Sequence, residues 1–586
     1  MKKLLMLLLP GLVLTSLALA LKDTPKNKKA DLALRNGKIY TMDASRSWAE
    51  SVAIKDGMII YVGVDTGIDS FVDESTQSVD LRGRVVLPGF IDSHVHPVGA
   101  GIDMDRCDVL GLENKDQILK KLSECSKENP DASWLLGSGW ALPAFPNANP
   151  QKEWLDEIVP DRPALITGAD GHSAWANSKA LEISGVTKDT PDPKDGRIER
   201  NAQGEPSGTL RETAIDLVQE HAPKPTLEES VTGLEKAMKE MNRLGITGFQ
   251  DAVVTANILP GEFNIQGGIT TYREAEKRGI LNARVTGALL ADPKGDLKKV
   301  LDQVASFKKL REEFKTKDFY PTSIKIFEDG VIEANTAAML HPYLDKDDFA
   351  GDLIWEPEVL NPFVELLDKE KFQIHFHALG DRAVRIALNA LESARRQNGP
   401  RDARPMLAHI EVIDPADIPR FAQIGAIPCF QPLWAFADAY ITDLTIPKLG
   451  PDRSRWIYPI RSVSNSGATM AMGSDWNVSS VNPLEGIEVA VTRMNYEGAK
   501  AAGTPFIPEE RLDLPSAIAA YTIGGAYANF WEKETGSIET GKSADLIVLS
   551  KNVFEVPPSE ISEVAVILTL FKGKPIYSDP SFGMLR

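Results

Sequence analysis

Short apolar or β-branched runs alternate with polar, helix-like intervals over most of the chain. The interval after the fifth run is typical, because its apolar residues recur at i, i+3, i+4 and i+7, as in Ala383, Ile386, Ala387 and Ala390. Strand alternating with helix eight times predicts an α/β fold, a (β/α)8 TIM-like barrel with parallel strands. Periodicity alone leaves a doubly wound sheet open. The eight runs lie at residues 85–96, 245–252, 284–290, 323–330, 372–378, 405–412, 427–432 and 469–478.

Both ends of the chain predict a smaller β module. Residues 31–84 contain short alternating runs separated by hairpin dipeptides such as Asn36-Gly37. Residues 536–577 repeat this pattern, so we expect the two segments to form one composite β-sandwich.

One connection of the predicted barrel is unusually long. Residues 107–240 contain their own strand-like runs at 134–136 and 164–167, among Gly-rich and Pro-rich turns. We therefore expect an inserted subdomain over the barrel mouth. The barrel itself would comprise residues 85–106 and 241–535.

The first 20 residues have the pattern of a secretory signal peptide. Lys2 and Lys3 precede the apolar stretch 4–19, and Ala18-Leu19-Ala20 is a small-x-small cleavage pattern. A membrane anchor or a buried helix is the alternative. No later run approaches the ~20 apolar residues of a membrane span, so we expect a secreted or periplasmic protein without a membrane partner.

The net charge limits the kinds of partner that the protein can bind, and the cysteine content bears on disulfide formation. The formal net charge of −18 would repel phosphate backbones and anionic lipid surfaces, which argues against nucleic-acid and membrane partners. The expected partner is a small-molecule substrate. The oligomeric state stays open, a homodimer included. An oxidising compartment would permit a Cys107–Cys125 disulfide, but the odd count of three cysteines favours burial as ordinary apolar residues.

Side chains of metal-binding type stand at the ends of five of the apolar runs. His94 and His96 are two residues apart on a predicted strand, so both rings point the same way. Imidazole and carboxylate ligands favour a divalent metal, zinc first, with manganese, nickel or iron as alternatives. The whole candidate set is His94, His96, Lys325, His377, His409 and Asp475.

Several motifs together resemble the amidohydrolase superfamily, and within it the amidohydrolase-3 branch that includes N-substituted formamide deformylase. The resemblance covers roughly residues 31–577, and its motifs specify the superfamily far better than a substrate. The matching segments are LPGFIDSHVH at 87–96, KIFEDG at 325–330, HALGDRA at 377–383, AH at 408–409 and GSDW at 473–476.

The resemblance implies a centre with one or two metal ions. His94 and His96 would bind the more buried metal with Asp475, and His377 and His409 would bind the more exposed one. Lys325 would bridge the two as a carboxylated lysine, because an ammonium group cannot coordinate a cation. In the alternative, Lys325 extends along a strand or pairs with Asp329 or Glu328, and one metal is then expected.

Further residues are candidates for the substrate site. His172, in a segment that also resembles the branch, is expected either to polarise the substrate or to be a packed loop histidine. His375 lies two residues before His377 and is expected to support the centre or to line the pocket. Ordinary packing is the competing interpretation for the remaining candidates, Trp140, Trp175, Arg211 and Trp434.

The expected function is hydrolysis of a non-peptide C–N bond, in an amide, N-formyl or cyclic amide, by a metal-activated water molecule. Asp475 would carry the proton to the departing nitrogen. Two alternatives remain: a secreted small-molecule binding protein or inactive relative with this fold, and a superfamily deaminase. The His-x-Glu zinc deaminase signature is incomplete, because Cys429 is not followed by Cys-x-x-Cys spacing.

Overall fold

The computed structural model describes residues 29–255, 268–497, 503–580 and 582. The predicted signal peptide at residues 1–20 lies outside these ranges. Within them, no helix combines the length and apolar character needed to cross a membrane.

The core of the molecule is a (β/α)8 barrel, as predicted. Its eight parallel strands pair in chain order, so each strand lies beside the next one along the sequence. Such an order places all the carboxyl ends at one face of the barrel. The strands are β1 (Phe90–Val95), β2 (Ile246–Val254), β3 (Arg284–Leu290), β4 (Phe319–Phe327), β5 (Gln373–Ala378), β6 (Met406–His409), β7 (Ile427–Phe430) and β8 (Ala471–Met472).

The barrel closes where the segment after β8 meets β1. The backbone N–H of Asp475 donates to the His94 carbonyl at 2.7 Å, and the N–H of His96 donates to the Trp476 carbonyl at 2.8 Å. Gly473 allows this approach, because a Cβ atom there would lie 2.5 Å from the backbone nitrogen of His94.

Amphipathic helices surround the barrel. The predicted apolar stripe of the helix Asp381–Asn398 is buried at Ala383, Ala387, Ala390 and Ala394. The helices of this layer are Pro97–Asp103, Leu227–Arg243, Ile269–Lys277, Leu297–Phe314, Pro357–Lys369, Asp381–Asn398, Ile418–Ile424, Ile446–Ser454, Ile460–Asn465, Pro483–Thr492, Leu514–Ala520 and Ile523–Ala528.

Two sheets built from both termini form the β module. Val85–Pro88 pairs with Leu546–Leu549 in the larger sheet, so the expectation that these residues begin the barrel is wrong. The larger sheet contains Lys38–Tyr40, Trp48–Ala49, Val85–Pro88, Leu546–Leu549, Val566–Phe571 and Lys574–Ser578. The smaller contains Leu32–Arg35, Ser51–Lys55, Met58–Gly63 and Gln77–Asp80.

The insertion after the first barrel helix has a six-stranded sheet of its own. It ends earlier than residue 240, because the helix Leu227–Arg243 packs on Pro97–Asp103 and leads into β2. The strands are Cys107–Asp108, Leu135–Trp140, Ala164–Gly168, Ser173–Ala176, Gly196–Arg200 and Pro206–Glu212, and the helices are Lys115–Glu128, Lys152–Ile158, Ser178–Ser184 and Asp216–Gln219.

A disulfide joins Cys107 to Cys125 within the insertion. This corrects the expectation that all three cysteines are unbonded. The bond ties the first strand of the insertion to its first helix, Lys115–Glu128. Cys429 is buried in β7 with a free thiol.

Candidate metal centre

The structure brings the six predicted metal-binding side chains to the carboxyl face of the barrel. Each one stands within a barrel strand or no more than three residues after its end, where parallel strands present their functional groups. All except His96 are buried. Their positions are His94 in β1, His96 directly after β1, Lys325 in β4, His377 in β5, His409 at the end of β6 and Asp475 after β8.

The Asp475 carboxylate lies at the middle of the cluster. Its Oδ1 atom is 2.9 Å from His96 Nε2 and 3.5 Å from His94 Nε2, and its Oδ2 atom is 3.9 Å from His409 Nδ1. The ligand atoms of His94, His409 and Asp475 all lie within 4.8 Å of one another. This spacing allows one cation to contact all three residues.

Lys325 and His377 extend the cluster on either side. Lys325 Nζ is 3.4 Å from His94 Nε2, so the amine lies among the donors. The Asp329 carboxylate accepts backbone N–H groups of Ala338, Leu379 and Gly380 instead of pairing with Lys325. The His377 ring lies 4.6 Å from the His409 ring, between centroids, so the set is continuous.

Two of the donors have an uncommon backbone conformation. His409 has φ of 77° and Asp475 has φ of 54°, in the left-handed region that non-glycine residues seldom occupy. Such conformations cost about 1–3 kcal/mol each and persist where the surrounding structure holds them. Both residues stand where the chain turns sharply out of a strand, which aims their side chains inward.

Burial sets the charge state of the donors. It lowers the pKa of His409 to about 3 and that of Lys325 to about 8, and it holds the pKa of His94 well below its usual value. Burial alone would raise the pKa of Asp475, but the hydrogen bond and charge of His96 lower it to about 2. The neutral imidazoles of His94 and His409 beside the ionised Asp475 carboxylate are donors of the kind that a divalent metal requires.

His375 supports the centre from below. Its Nε2 atom is 2.9 Å from His94 Nδ1, and the residue is fully buried in the barrel. His94 Nε2 faces Asp475 and Lys325, and with a metal bound at Nε2 the proton would stand on Nδ1, which would then donate to His375 Nε2. This contact agrees with the expectation that His375 supports the centre, and His375 is not among the residues that line the cavity described below.

Three of the other predicted substrate residues pack inside the insertion. The indole N–H of Trp140 donates to the Ile166 carbonyl at 2.9 Å, and that of Trp175 donates to the Gln151 carbonyl at 3.0 Å. The buried Arg211 guanidinium donates to the Ser173 hydroxyl and the Ala148 carbonyl. Ordinary packing therefore explains all three.

Trp434 lies against a metal donor. Its ring stacks on the His409 imidazole, with centroids 5.5 Å apart and the planes 11° from parallel. The contact fixes the His409 ring, which is a different role from the substrate contact that was expected.

A cavity of about 250 Å³ connects the cluster with the insertion. His172 lines it and lies over the His377 ring, with centroids 4.9 Å apart. Its Nδ1 atom is 2.7 Å from Glu212 Oε2. Burial would lower the pKa of His172, but the Glu212 charge and hydrogen bond outweigh it and raise the pKa to about 9.

Glu212 and Asp216 were missed by the sequence reasoning. Both line the cavity, Glu212 as the last residue of the strand Pro206–Glu212 and Asp216 as the first residue of the helix Asp216–Gln219. No motif marks them, and the pairing of Ser173 with Arg211 that brings Glu212 to His172 joins segments 38 residues apart.

An eight-stranded parallel barrel that gathers histidines, a lysine and an aspartate at its carboxyl face defines a metal-dependent hydrolase. The chain belongs to the Amidohydrolase family, which it matches over residues 77–577.

Known proteins resemble the chain over almost its full length. It is 32% identical to protein LONG AFTER FAR-RED 3 of Arabidopsis thaliana, covering 94% of this chain and 92% of that protein. It is 27% identical to N-substituted formamide deformylase of Arthrobacter pascens, covering 93% and 97%. An uncharacterized metal-dependent hydrolase from Pyrococcus horikoshii OT3 shares the fold, with TM-score 0.70, 23% identity and coverage of 90% and 99%.

Proposed function

We propose that the protein hydrolyses a non-peptide C–N bond, in an amide, N-formyl or cyclic amide group of a small molecule. The observation that carries this proposal is the Asp475 carboxylate, in contact with His94 and His96 on the floor of a cavity that His172 covers. The similarity to N-substituted formamide deformylase supports an amide-type substrate.

Zinc is the metal that the donor set favours. Imidazole nitrogens and one carboxylate suit zinc, and manganese, nickel or iron can also use them. A divalent ion held there would supply Lewis-acid polarisation of a carbonyl group and would make a water molecule more acidic.

Lys325 is proposed to be carboxylated, which would let it bridge two ions. Its pKa of about 8, lowered by burial, leaves neutral amine available near neutral pH. That amine can attack carbon dioxide, forming an N–C bond and releasing one proton, and the product is an anionic carbamate. A protonated amine 3.4 Å from His94 Nε2 would instead repel a cation.

Asp475 and His172 have different roles in the proposed reaction. Asp475 accepts the proton that the attacking water loses and delivers it to the nitrogen as the C–N bond breaks. His172, held through Nδ1 by Glu212, has Nε2 available to donate a hydrogen bond to the carbonyl oxygen as negative charge develops. The products are a carboxylic acid and an amine.

An oxidising compartment is proposed for the mature protein. The Cys107–Cys125 bond supports it, since such bonds persist mainly in secreted and periplasmic proteins. The basic and apolar pattern of residues 1–20 is the other support.

Replacement of Asp475 by Asn tests the proposed function. We expect Asp475→Asn to lower kcat by at least about 1,000-fold, on the scale of the loss of an acid–base group. The melting temperature should stay near that of the wild type, because Asn can keep the backbone turn. The assay is hydrolysis of N-formyl amines, N-acyl amines, cyclic ureas and acylated amino acids by zinc-, manganese- and nickel-loaded protein.

The matched control is Asp347→Asn, the same change at an exposed position far along the chain. It should behave as the wild type. Near-normal turnover by Asp475→Asn would contradict the mechanism, and binding of these compounds without turnover by any metal form would favour the binding-protein alternative.

A further inference from the structure

We propose that Glu212 is a positioning residue that fixes the His172 ring over the metal centre, and that Thr336 in turn holds the Glu212 carboxylate. This inference rests on the proposed function, because it assigns His172 a role at the substrate carbonyl.

The contacts form a chain from the insertion to the barrel. Glu212 Oε2 accepts from His172 Nδ1 at 2.7 Å, and Glu212 Oε1 accepts from the Thr336 hydroxyl at 2.8 Å. The same Thr336 oxygen accepts the backbone N–H of Val331 at 2.9 Å. Both carboxylate oxygens of Glu212 are therefore occupied, one by each module.

The Glu212 backbone is in a region that glycine normally occupies. Its φ is 49° and its ψ is −130°, a combination that is strained for a residue with a Cβ atom. Its N–H also donates to the His172 carbonyl at 3.0 Å. This strained backbone conformation places the Glu212 carboxylate beside the His172 ring.

The barrel side is shaped to receive this carboxylate. Gly330, three residues after β4, leaves the required space, because a Cβ atom there would lie 2.2 Å from Glu212 Oε1 and 2.3 Å from the Thr336 hydroxyl oxygen. The carbonyl of Gly330 lies 3.4 Å from Nε2 of His377. The Glu212 contact and the His377 donor therefore meet at one loop.

The geometry limits how Glu212 can act. Both of its carboxylate oxygens are hydrogen-bonded, one to His172 and one to Thr336. Glu212 therefore affects the substrate through His172 and does not contact it directly. If Glu212 served only to join the insertion to the barrel, its loss would leave the orientation of the His172 ring unchanged. An experiment that follows this orientation therefore separates the joining role from the positioning role.

A double-mutant cycle tests the inference. Glu212→Gln, His172→Gln and the double variant are compared for kcat, KM, zinc content and melting temperature. We expect Glu212→Gln to lower kcat by about 100-fold, the scale of a small misplacement of a catalytic group, with unchanged zinc content. The double variant should be no slower than His172→Gln, because Glu212 acts through His172.

Further variants sharpen the comparison. Thr336→Ser retains the hydroxyl and should keep wild-type kcat, whereas Thr336→Val should lose part of it. Glu220→Gln is the matched control, an exposed glutamate eight residues further along, and should have no effect. Multiplicative effects of Glu212→Gln and His172→Gln in the cycle would overturn the inference.

Crystal structures of the wild type and Glu212→Gln separate this inference from the proposed function. A rotated or displaced His172 ring in the variant supports the positioning role, and an unmoved ring overturns it. If His172→Gln leaves kcat unchanged, the proposed role of His172 fails, and the ring position still decides whether Glu212 positions it.

Discussion

At the scale of single residues, the two nitrogens of His94 have different partners. Nε2 faces Asp475 and Lys325, and Nδ1 meets His375 Nε2 at 2.9 Å. A histidine that ligates a metal commonly donates its other N–H to a fixed acceptor, which sets the tautomer and the ring orientation. His375 serves this purpose inside the barrel.

Removal of His375 should therefore weaken metal binding. We expect His375→Ala to reduce the affinity for zinc by about 10–100-fold, measured by competition with a chromogenic chelator. His375→Gln, which offers a carbonyl acceptor, should recover part of the loss. His221→Ala, at an exposed histidine, is the control, and equal affinities for all these proteins would contradict the assignment.

The convergence of the six candidate side chains could be predicted from the sequence because each one stands at the end of an apolar run. These residues stand near the ends of predicted strands, and a parallel barrel places the carboxyl ends of its strands at one face. Glu212 could not be found this way, since its function depends on strand pairing inside the insertion. Trp140 and Trp175 have residue types common in pockets, but sequence does not reveal that their indoles bond to backbone carbonyls.

At the scale of elements, the junction between β8 and β1 holds the centre together. Asp92 Oδ1 accepts the backbone N–H groups of His94 at 3.1 Å and Ser474 at 3.0 Å. Together with the close approach at Gly473, this contact sets Asp475 against His94 and His96. The spacing of the donors thus depends on how tightly the two segments meet.

Enlarging Gly473 should open this junction. Gly473→Ala places a Cβ atom 2.5 Å from the His94 backbone nitrogen, so we expect a loss of about 1–3 kcal/mol in the free energy of unfolding and lower zinc occupancy. Gly503→Ala is the matched control, because nothing lies within 4 Å of its added Cβ atom. Urea denaturation measures the stability, and metal analysis measures the zinc content. Equal values for the two variants would contradict this account.

Element boundaries were the weakest part of the sequence prediction. The run at 85–96 covers two strands in different sheets, Val85–Pro88 and β1, and only Gly89 separates them. Both strands are fully buried, so hydrophobicity shows no break between them. The helix Leu227–Arg243 was assigned to the insertion because its contact with Pro97–Asp103 is not visible in the sequence.

At the scale of the whole molecule, the insertion lines one side of the cavity at the metal-binding cluster and has hydrophobic clusters of its own. Cys107 and Cys125 both belong to one of these clusters, and their bond spans 18 residues of sequence. We therefore expect the bond to stabilise the insertion locally, without an effect on the barrel strands.

Loss of this bond should affect the insertion alone. The variant with both Cys107→Ser and Cys125→Ser should lose about 3 kcal/mol of local stability, seen as faster amide hydrogen exchange in residues 107–140. Exchange in the barrel strands and zinc content should match the wild type. Loss of zinc or faster exchange throughout the barrel would show that the modules are not separable in this way.

The central claim is that six side chains from across the barrel hold a divalent metal. A crystal structure of the zinc-loaded protein, with anomalous data collected at the zinc edge, tests it most directly. The account predicts anomalous peaks within coordination distance of His94, His96 and Asp475, and of His377 and His409 if a second ion is bound. A well-ordered structure with zinc bound elsewhere, or with no zinc at the carboxyl face, would contradict it.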